Sequence, residues 1–171
     1  MKSSILLITA SGPDRPGIVH ELARRVFEHK GNWERSRLIH LAGRFIGLLQ
    51  ISVPETFQKE LEKDLFSIDG LDLTIAEGTV PATSGKDGIA MSLVGADHPG
   101  IVAEVFGALA KLGLNVESMS TRTEAAADSG TLLFHARATL TAQTPISIDE
   151  VRAKLESIAS DLLVELAVEE A

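Results

Sequence analysis

Two aspartates in this sequence stand beside glycine-rich loops, and each is followed by an asparagine. Asp14 lies in the loop Gly12–Gly17, between a short apolar run and an apolar helical pattern. The first amides of a helix lack intrahelical partners and its dipole is positive at that end, so the loop should attract a carboxylate or phosphate. Asp14 adds an acceptor for an ammonium group, and Asn32 follows the same helix. We expect these groups within a few ångströms of one another, where they could hold a zwitterion.

The same loop returns 83 residues later, and the match continues without a gap over about half of the chain. A repeat of this length indicates two copies of one domain. His98 stands where the first copy has Arg15, so the two loops need not be equivalent. The candidate ligand-binding residues are Gly12, Asp14, Arg15, Gly17, Ile18 and Asn32 in the first copy and Asp97, His98, Gly100, Ile101 and Asn115 in the second.

Other roles for these loops must be weighed. Their Gly-x-x-x-x-Gly spacing also occurs in phosphate-binding P-loops, but Lys followed by Ser or Thr should come next. Ile18-Val19 and Ile101-Val102 stand there instead, which disfavours nucleotide binding. A structural role stays open, because aspartate before a helix is commonly a cap and asparagine after glycine is common in turns.

Catalysis and metal binding find little support. The sequence has no cysteine, so thiolate chemistry and cysteine-bound zinc are excluded. Asp97 and His98 could form an acid/base pair, but His98 has no histidine counterpart in the first copy. No histidines show helical metal-ligand spacing, and no nucleophile motif is present. We expect no enzyme activity, no cofactor and no metal site.

Charge and hydropathy limit the possible partners. The formal net charge is −8 and the pI is about 5.1, which disfavours direct binding to nucleic acid. No apolar run approaches the roughly 18 residues of a membrane span. The apolar run near the start, Ile5–Ala10, resembles its mid-chain counterpart Ile89–Val94 and is predicted to be a core strand. We expect a cytoplasmic protein.

The order of elements predicts an α+β fold. Each copy shows the βαββαβ order of a ferredoxin-like unit with a mainly antiparallel sheet. We predict domains over 1–77 and 86–171, with a linker at 78–85 that is rich in Gly, Pro, Ser and Thr. In the first copy, Pro16 is predicted in the first helical turn and Gly31 at the helix end, while Ser147 should open the last helix with a capping box.

Two strands of the first copy are apolar on both faces. A sheet covered on one face should alternate apolar and polar residues, yet Ile5–Ile8 and Phe45–Val53 place large apolar groups on both sides. We expect the other copy or a second chain to cover the free face, as in a homo-oligomer that pairs through sheet or helix faces.

The loop Asp14-Arg15-Pro16-Gly17-Ile18-Val19, its helix, Gly31-Asn32 and the element order together resemble the ACT domain, a regulatory module that binds amino acids. The resemblance occurs in both copies, which together span nearly the whole chain. It implies that the loop after the first strand holds the ligand, often at an interface between two such domains. The polar ligand positions carried over are Asp14, Asn32, Asp97 and Asn115.

A longer pattern adds Ile8-Thr9-Ala10 before the loop and Glu34 and Ser36-Arg37-Leu38 after Asn32. It is similar to the glycine cleavage system transcriptional repressor family, which has two tandem ACT domains. The resemblance implies an amino acid effector, glycine in that family, and action through a DNA-binding regulator. The alternatives are a ligand-free interaction module, a regulatory subunit of an amino-acid-metabolic enzyme, and a hydrolase-like enzyme built on Asp97 and His98.

Overall fold

The structure is a computed structural model that describes residues 2–78, 88–127, 129–142, 144–157 and 163–169. The chain divides into two compact units, Met1–Ala82 and Thr83–Ala171. Apart from Gly78, the predicted linker lies outside the described residues, so the limits 1–77 and 86–171 stay predictions. We call the two units the first and second domains.

Both domains have the predicted βαββαβ order. The first contains β1 (Ser3–Pro13), α1 (Ile18–Glu28), β2 (Asn32–Leu41), β3 (Arg44–Pro54), α2 (Gln58–Phe66) and β4 (Asp72–Glu77). The second contains β5 (Gly88–Ala96), α3 (Ile101–Lys111), β6 (Leu114–Ala125), β7 (Leu132–Ala142), α4 (Ile148–Glu156) and β8 (Leu163–Glu169). The sheet orders are β2-β3-β1-β4 and β6-β7-β5-β8, with all neighbouring strands antiparallel. The predicted ferredoxin-like α+β fold is confirmed.

Each sheet buries one face in an apolar core, because its strands alternate inward apolar residues with outward ones. Along β1, for example, Leu6, Ile8 and Ala10 are buried, while Leu7 and Thr9 between them are exposed. The α1 stripe Ile18, Leu22 and Val26 joins this core at helical spacing. Burying such side chains contributes about 1.5–3 kcal/mol each.

The helix ends depart from expectation in the first domain. The helix α1 begins at Ile18, after Gly17 in the left-handed conformation (φ 91°), so the prediction that Pro16 lies in the first helical turn is wrong. At the other end the left-handed residue is Lys30 (φ 60°) rather than Gly31. In the second domain, the left-handed residue after the helix α3 is a glycine, Gly113 (φ 74°).

The last helix begins after Ser147, the residue predicted to open it, but the cap bond goes to Asp149 and not to Glu150, as a capping box requires. The Ser147 hydroxyl accepts a hydrogen bond from the backbone N–H of Asp149, at 3.2 Å. This satisfies one of the otherwise unpaired amides of the first turn. The start of α4 is therefore fixed by a side-chain cap, unlike the starts of α1 and α3.

The edge strands β2 and β6 carry an irregularity at the same place. In β2 the register shifts between Trp33 and Arg35, and in β6 it shifts between Val116 and Ser118. Trp33 pairs with the buried Ile51, whereas Arg35 pairs with Gln50 on the uncovered face. The extra residue therefore shifts the alternation of β2, so that Arg35 and Arg37 lie on the uncovered face while Ser36 pairs with the buried Leu49.

The uncovered faces of the two sheets differ. In the first domain, Leu7, Leu48 and Ile39 lie on it and are 39, 43 and 54% exposed, so the predicted two-sided apolar character is confirmed there. In the second domain the same face carries fewer large apolar groups: besides Ala90, Val94 and Leu133 it has Ser92, Ser118, Ser120, Arg122, His135, Arg137 and Thr139. No helix among the described residues is long and apolar enough to cross a membrane.

Candidate functional site

The loop between β1 and α1 ends in an uncapped helix start. Gly17 takes the cap position with its left-handed backbone, and no side chain accepts a hydrogen bond from the first turn. Within the described chain, no group accepts from the backbone N–H of Ile18 or Val19, while Glu21 N–H donates to Gly17 O at 2.8 Å. Asp14 is therefore not a helix cap. The amides remain available to an anionic group, as a helix start allows.

Asp14 is exposed at the mouth of this loop. Its backbone N–H donates to Gly43 O at 3.2 Å, and its Oδ2 lies 3.8 Å from His40 Nε2. Arg15 turns toward the helix instead and donates to Glu21 Oε2 at 2.8 Å. The Asp14 carboxylate thus stays open to solvent, with one histidine as its nearest ionisable neighbour.

The structure separates Asn32 from Asp14. Asn32 pairs with Ser52, which pairs with Ile5 near the start of β1, whereas Asp14 follows Pro13 at the end of β1. Eight strand residues, about 26 Å, lie between these levels of the sheet. The expectation that both side chains of one domain lie within a few ångströms is therefore wrong. The reason is that α1 runs back along the sheet before β2 begins.

The second domain repeats this arrangement with different neighbours. Asp97 N–H donates to Leu132 O at 2.8 Å, and His98 Nε2 lies 3.9 Å from Glu104 Oε2. The helix again begins after a left-handed glycine, Gly100 (φ 100°), with no side-chain cap. Here Ile101 N–H donates to His98 O at 3.2 Å, so one fewer amide is free than in the first domain.

The asparagine of the second domain is also remote from its aspartate. Asn115 pairs with Thr141, which pairs with Gly88 at the beginning of β5, whereas Asp97 follows the end of β5. The Asn115 amide donates to Glu117 Oε1 at 2.8 Å. Its side chain is therefore already engaged within its own strand, whereas the exposed Asn32 makes no side-chain hydrogen bond to the described part of the chain.

Three of the candidate residues have structural roles. The side chains of Ile18 and Ile101 are 2 and 4% exposed and belong to the two cores, so only their amides could meet a ligand. Gly12 is a close-approach position, because a Cβ built there would lie 2.1 Å from Gly70 O. These residues position the loops rather than line a site.

Sequence reasoning missed an ion-pair network behind the first loop. Arg25, 13% exposed, donates to Asp64 O at 2.8 Å, to Asp64 Oδ1, and to Ser67 Oγ at 3.0 Å. It also reaches Glu21 Oε1 at 3.3 Å. The i, i+4 spacing of Glu21 and Arg25 signals part of this network, but the α1–α2 contact could not be read from one helix.

The network fixes the charge of Glu21. The hydrogen bond from Arg15 is the largest cause that holds the pKa of the Glu21 carboxyl below its ordinary value of 4.5; burial opposes it, and the hydrogen bond from Arg25 lowers the pKa further. Glu21 is thus an anion that draws Arg15 away from Asp14. Because Arg15 and Glu21 pair with each other, Asp14 is the exposed charged side chain that remains beside the start of α1.

The described residues contain no group of three or more His, Asp or Glu side chains that could hold a metal ion. Four of the five histidines each lie near a single carboxylate: His29 near Asp64, His40 near Asp14, His98 near Glu104 and His135 near Glu124. His98 Nδ1 lies 3.3 Å from Pro99 O and not beside Asp97.

Comparisons with known proteins agree with this architecture. The ACT domain family matches residues 4–76 and again 91–159. A crystal structure of an unknown protein from Galdieria sulphuraria is 24% identical, with 98% of this chain and 99% of that chain covered and a TM-score of 0.82. No curated protein sequence matches the chain significantly.

A second solved structure is that of a candidate glycine cleavage system transcriptional repressor. It is 19% identical and has a TM-score of 0.71, with both chains covered completely. At this identity the likeness concerns the fold alone. With two consecutive matches that together cover most of its length, this chain belongs to the ACT domain family and carries two tandem ACT domains.

Proposed function

We propose that this protein is a regulator without catalytic activity that binds a small amino acid and alters the behaviour of a protein partner in the cytoplasm. The observation that carries the proposal is the uncapped helix start after Gly17, with free amides at Ile18 and Val19 beside the exposed Asp14. These groups offer donors for a carboxylate and an acceptor for an ammonium. The second domain offers Asp97 and a similar helix start with one fewer free amide, and it has His98 in place of Arg15.

A complete site requires two domains. Because about 26 Å separate the Asp14 and Asn32 ends of one sheet, no single small ligand can touch both within one domain. If the carboxamide takes part, the loop of one ACT domain must meet the start of β2 or β6 in another. That second domain could come from the same chain or from a second copy, so we propose sites assembled at domain interfaces and a homo-oligomer as one way to form them.

Glycine is the effector that we propose first. The full-length likeness to a candidate glycine cleavage system transcriptional repressor supports a regulatory role. Since the net charge is −8, we expect action through a DNA-binding regulator rather than by direct contact with DNA. Ligand bound between domains would favour one arrangement of them and so change the surface offered to the partner.

Calorimetric titration of the full chain with glycine and the other common amino acids tests the sensing role. We expect one amino acid to bind, and Asp14→Asn to weaken its binding at least about tenfold, since a charge-assisted hydrogen bond contributes roughly 1.5–3 kcal/mol. Asp69→Asn is the matched control, because Asp69 is an exposed aspartate outside both loops. Absence of binding by every amino acid would refute the sensing role.

A ligand-free interaction module, or a regulatory subunit of an amino-acid-metabolic enzyme, is the second candidate. It is favoured by two exposed aromatic side chains on the helices, Phe27 at 76% and Phe66 at 58%. Exposed aromatic groups of this size are common anchors of protein interfaces. Under this alternative, Phe27→Ser with Phe66→Ser abolishes partner binding, whereas Asp14→Asn and added glycine leave partner affinity and partner activity unchanged.

A further inference from the structure

The uncovered sheet face of the first domain contains a depression of about 450 Å³ that the candidate loop does not reach. It is lined by Leu7, Arg35, Ser36, Arg37, Leu48 and Gln50. Leu7 lies six residues before Pro13 on β1, so the depression is about 20 Å from the Asp14 loop along the strand. Its volume falls within the range of small-molecule sites.

Two unpaired cations stand on one side of this depression. Arg35 and Arg37 are exposed and make no ion pair or hydrogen bond with the described part of the chain. They are two residues apart on β2 and pair with Gln50 and Leu48, so both lie on the uncovered face with Cα atoms about 7 Å apart. In a chain of net charge −8, this is a local reversal of charge.

One carboxylate lies nearby. Glu34, the extra residue of the β2 bulge, accepts a hydrogen bond from Gln50 Nε2 at 2.8 Å. That bond engages Gln50 and leaves the two guanidinium groups free. With two cations against one anion, the rim keeps a net positive charge.

The floor of the depression is apolar. Leu7 and Leu48 are 39 and 43% exposed, and they lie on adjacent strands with Gln50 as the direct partner of Leu7. Exposed leucines beneath the two arginines would contact a short hydrocarbon chain whose ends carry charge. A compact single anion would leave these leucines in water.

We propose that this depression binds a small dicarboxylate, with one carboxylate held by each guanidinium and the hydrocarbon chain resting on Leu7 and Leu48. Arginine presents its N–H groups as a planar fork that matches a carboxylate. A spacing of about 7 Å between the arginines suits two carboxylates joined by a few carbons. The site is separate from the amino acid site proposed above and does not rest on it.

The second domain supplies an internal comparison. Ser118 and Ser120 occupy the positions of Arg35 and Arg37 relative to the bulge, and Ala90 stands in the place of Leu7. The second domain has two arginines on this face, but Arg122 donates to Glu124 Oε2 at 3.0 Å, and Arg137 stands in the place of Leu48 and pairs directly with Ser120. The second domain therefore lacks both the two unengaged arginines of the edge strand and the apolar floor, and we expect one dicarboxylate per chain.

Titration of the full chain with succinate, followed by calorimetry and by amide NMR shifts, tests the proposal. We expect one site whose shifts map to β2 and β3, with affinity reduced about tenfold by Arg37→Gln and lost in Arg35→Gln/Arg37→Gln. Lys59→Gln/Lys63→Gln is the matched control, since it removes two exposed charges from α2 on the covered side of the sheet. Asp14→Asn should bind succinate normally, which distinguishes this site from the loop.

Three results would overturn the proposal. The first is no succinate binding at millimolar concentration by the folded wild-type chain. The second is equal binding by the double arginine variant and by wild type. The third is acetate binding as tightly as succinate, because a single carboxylate would then satisfy the site and two-point recognition would be wrong. Thermal unfolding of each variant verifies that it is folded.

Discussion

The two ACT domains of this chain share a core and differ on their surfaces. Their buried strands and helix stripes have the same layout, and each first helix starts after a left-handed glycine. Outside the cores, an apolar Ile39–Ile46 pair in the first domain has an Arg122–His135 pair as its counterpart in the second. The Arg25 network of the first domain also has no equivalent, because Ala108 stands there. The two copies thus share the buried residues that form the core and differ in the residues exposed to solvent.

Gly12→Ala is the substitution that should produce the largest difference in stability between the two domains. A Cβ at this position would lie 2.1 Å from Gly70 O and 2.8 Å from Leu71 Cδ2, so β1 and the segment before β4 must move apart. We expect the free energy of unfolding of the first domain alone to fall by about 3 kcal/mol, the upper range for overpacking. Hydrogen exchange of the backbone amides in the two sheets measures this loss.

Gly107→Ala is the control for this change, made in the second domain with the same chemistry. A Cβ on Gly107 of α3 meets nothing within 4 Å. Alanine should stabilise that helix by about 0.5–1 kcal/mol. Equal effects of the two variants would contradict the close approach at Gly12.

Arg25→Ala gives the first domain the alanine that the second has at its equivalent position. It leaves Asp64 and Glu21 without their shared partner at a site where Arg25 is 13% exposed. We expect destabilisation of about 2 kcal/mol in urea unfolding, below the range for a fully buried pair. Arg24→Ala, which removes an exposed pair with Glu28 at 2.6 Å, should cost less than about 0.5 kcal/mol; similar losses for both would show that the network contributes little.

Lys30 and Gly113 allow a reciprocal exchange. They end the first helix of each domain with φ values of 60° and 74°, a conformation that glycine adopts without strain. Lys30→Gly should stabilise the first domain by about 1 kcal/mol, and Gly113→Lys should destabilise the second by a similar amount. Thermal unfolding measures both, and shifts of the same sign would be inconsistent with the backbone argument.

Acid should weaken the first domain slightly through Glu21. Its pKa in the folded protein lies below its ordinary value, so the added stability is complete above pH 4.5 and is lost as the pH falls through the folded-state pKa. Arg15→Gln removes the largest cause and should raise the pKa of the Glu21 carboxyl, as carboxyl NMR titration would report. The effect on stability should be a few tenths of a kcal/mol at most, because the pair is solvent-screened.

The repeat and the alternation of apolar residues predicted the fold because both follow from burial. The residues that each strand buries can be identified from its own short stretch of sequence. The helix end at Lys30 was not predictable in this way, since Gly31 is the residue whose type favours the left-handed conformation. The separation of Asp14 from Asn32 is different. It follows from topology, because a helix that returns along the sheet must start the next strand at the far end. Closeness in sequence after a helix therefore does not place two side chains in one site.

The register shifts in β2 and in β6 determine which residues of these strands face away from the core. The shift falls between Trp33 and Arg35 in one strand and between Val116 and Ser118 in the other, at equivalent positions. After the shift, Arg35 and Arg37 in one domain and Ser118 and Ser120 in the other pair with residues of the uncovered face. Because these positions lie outside the core in both domains, long charged side chains in one and short hydroxyls in the other fit without disturbing either interior.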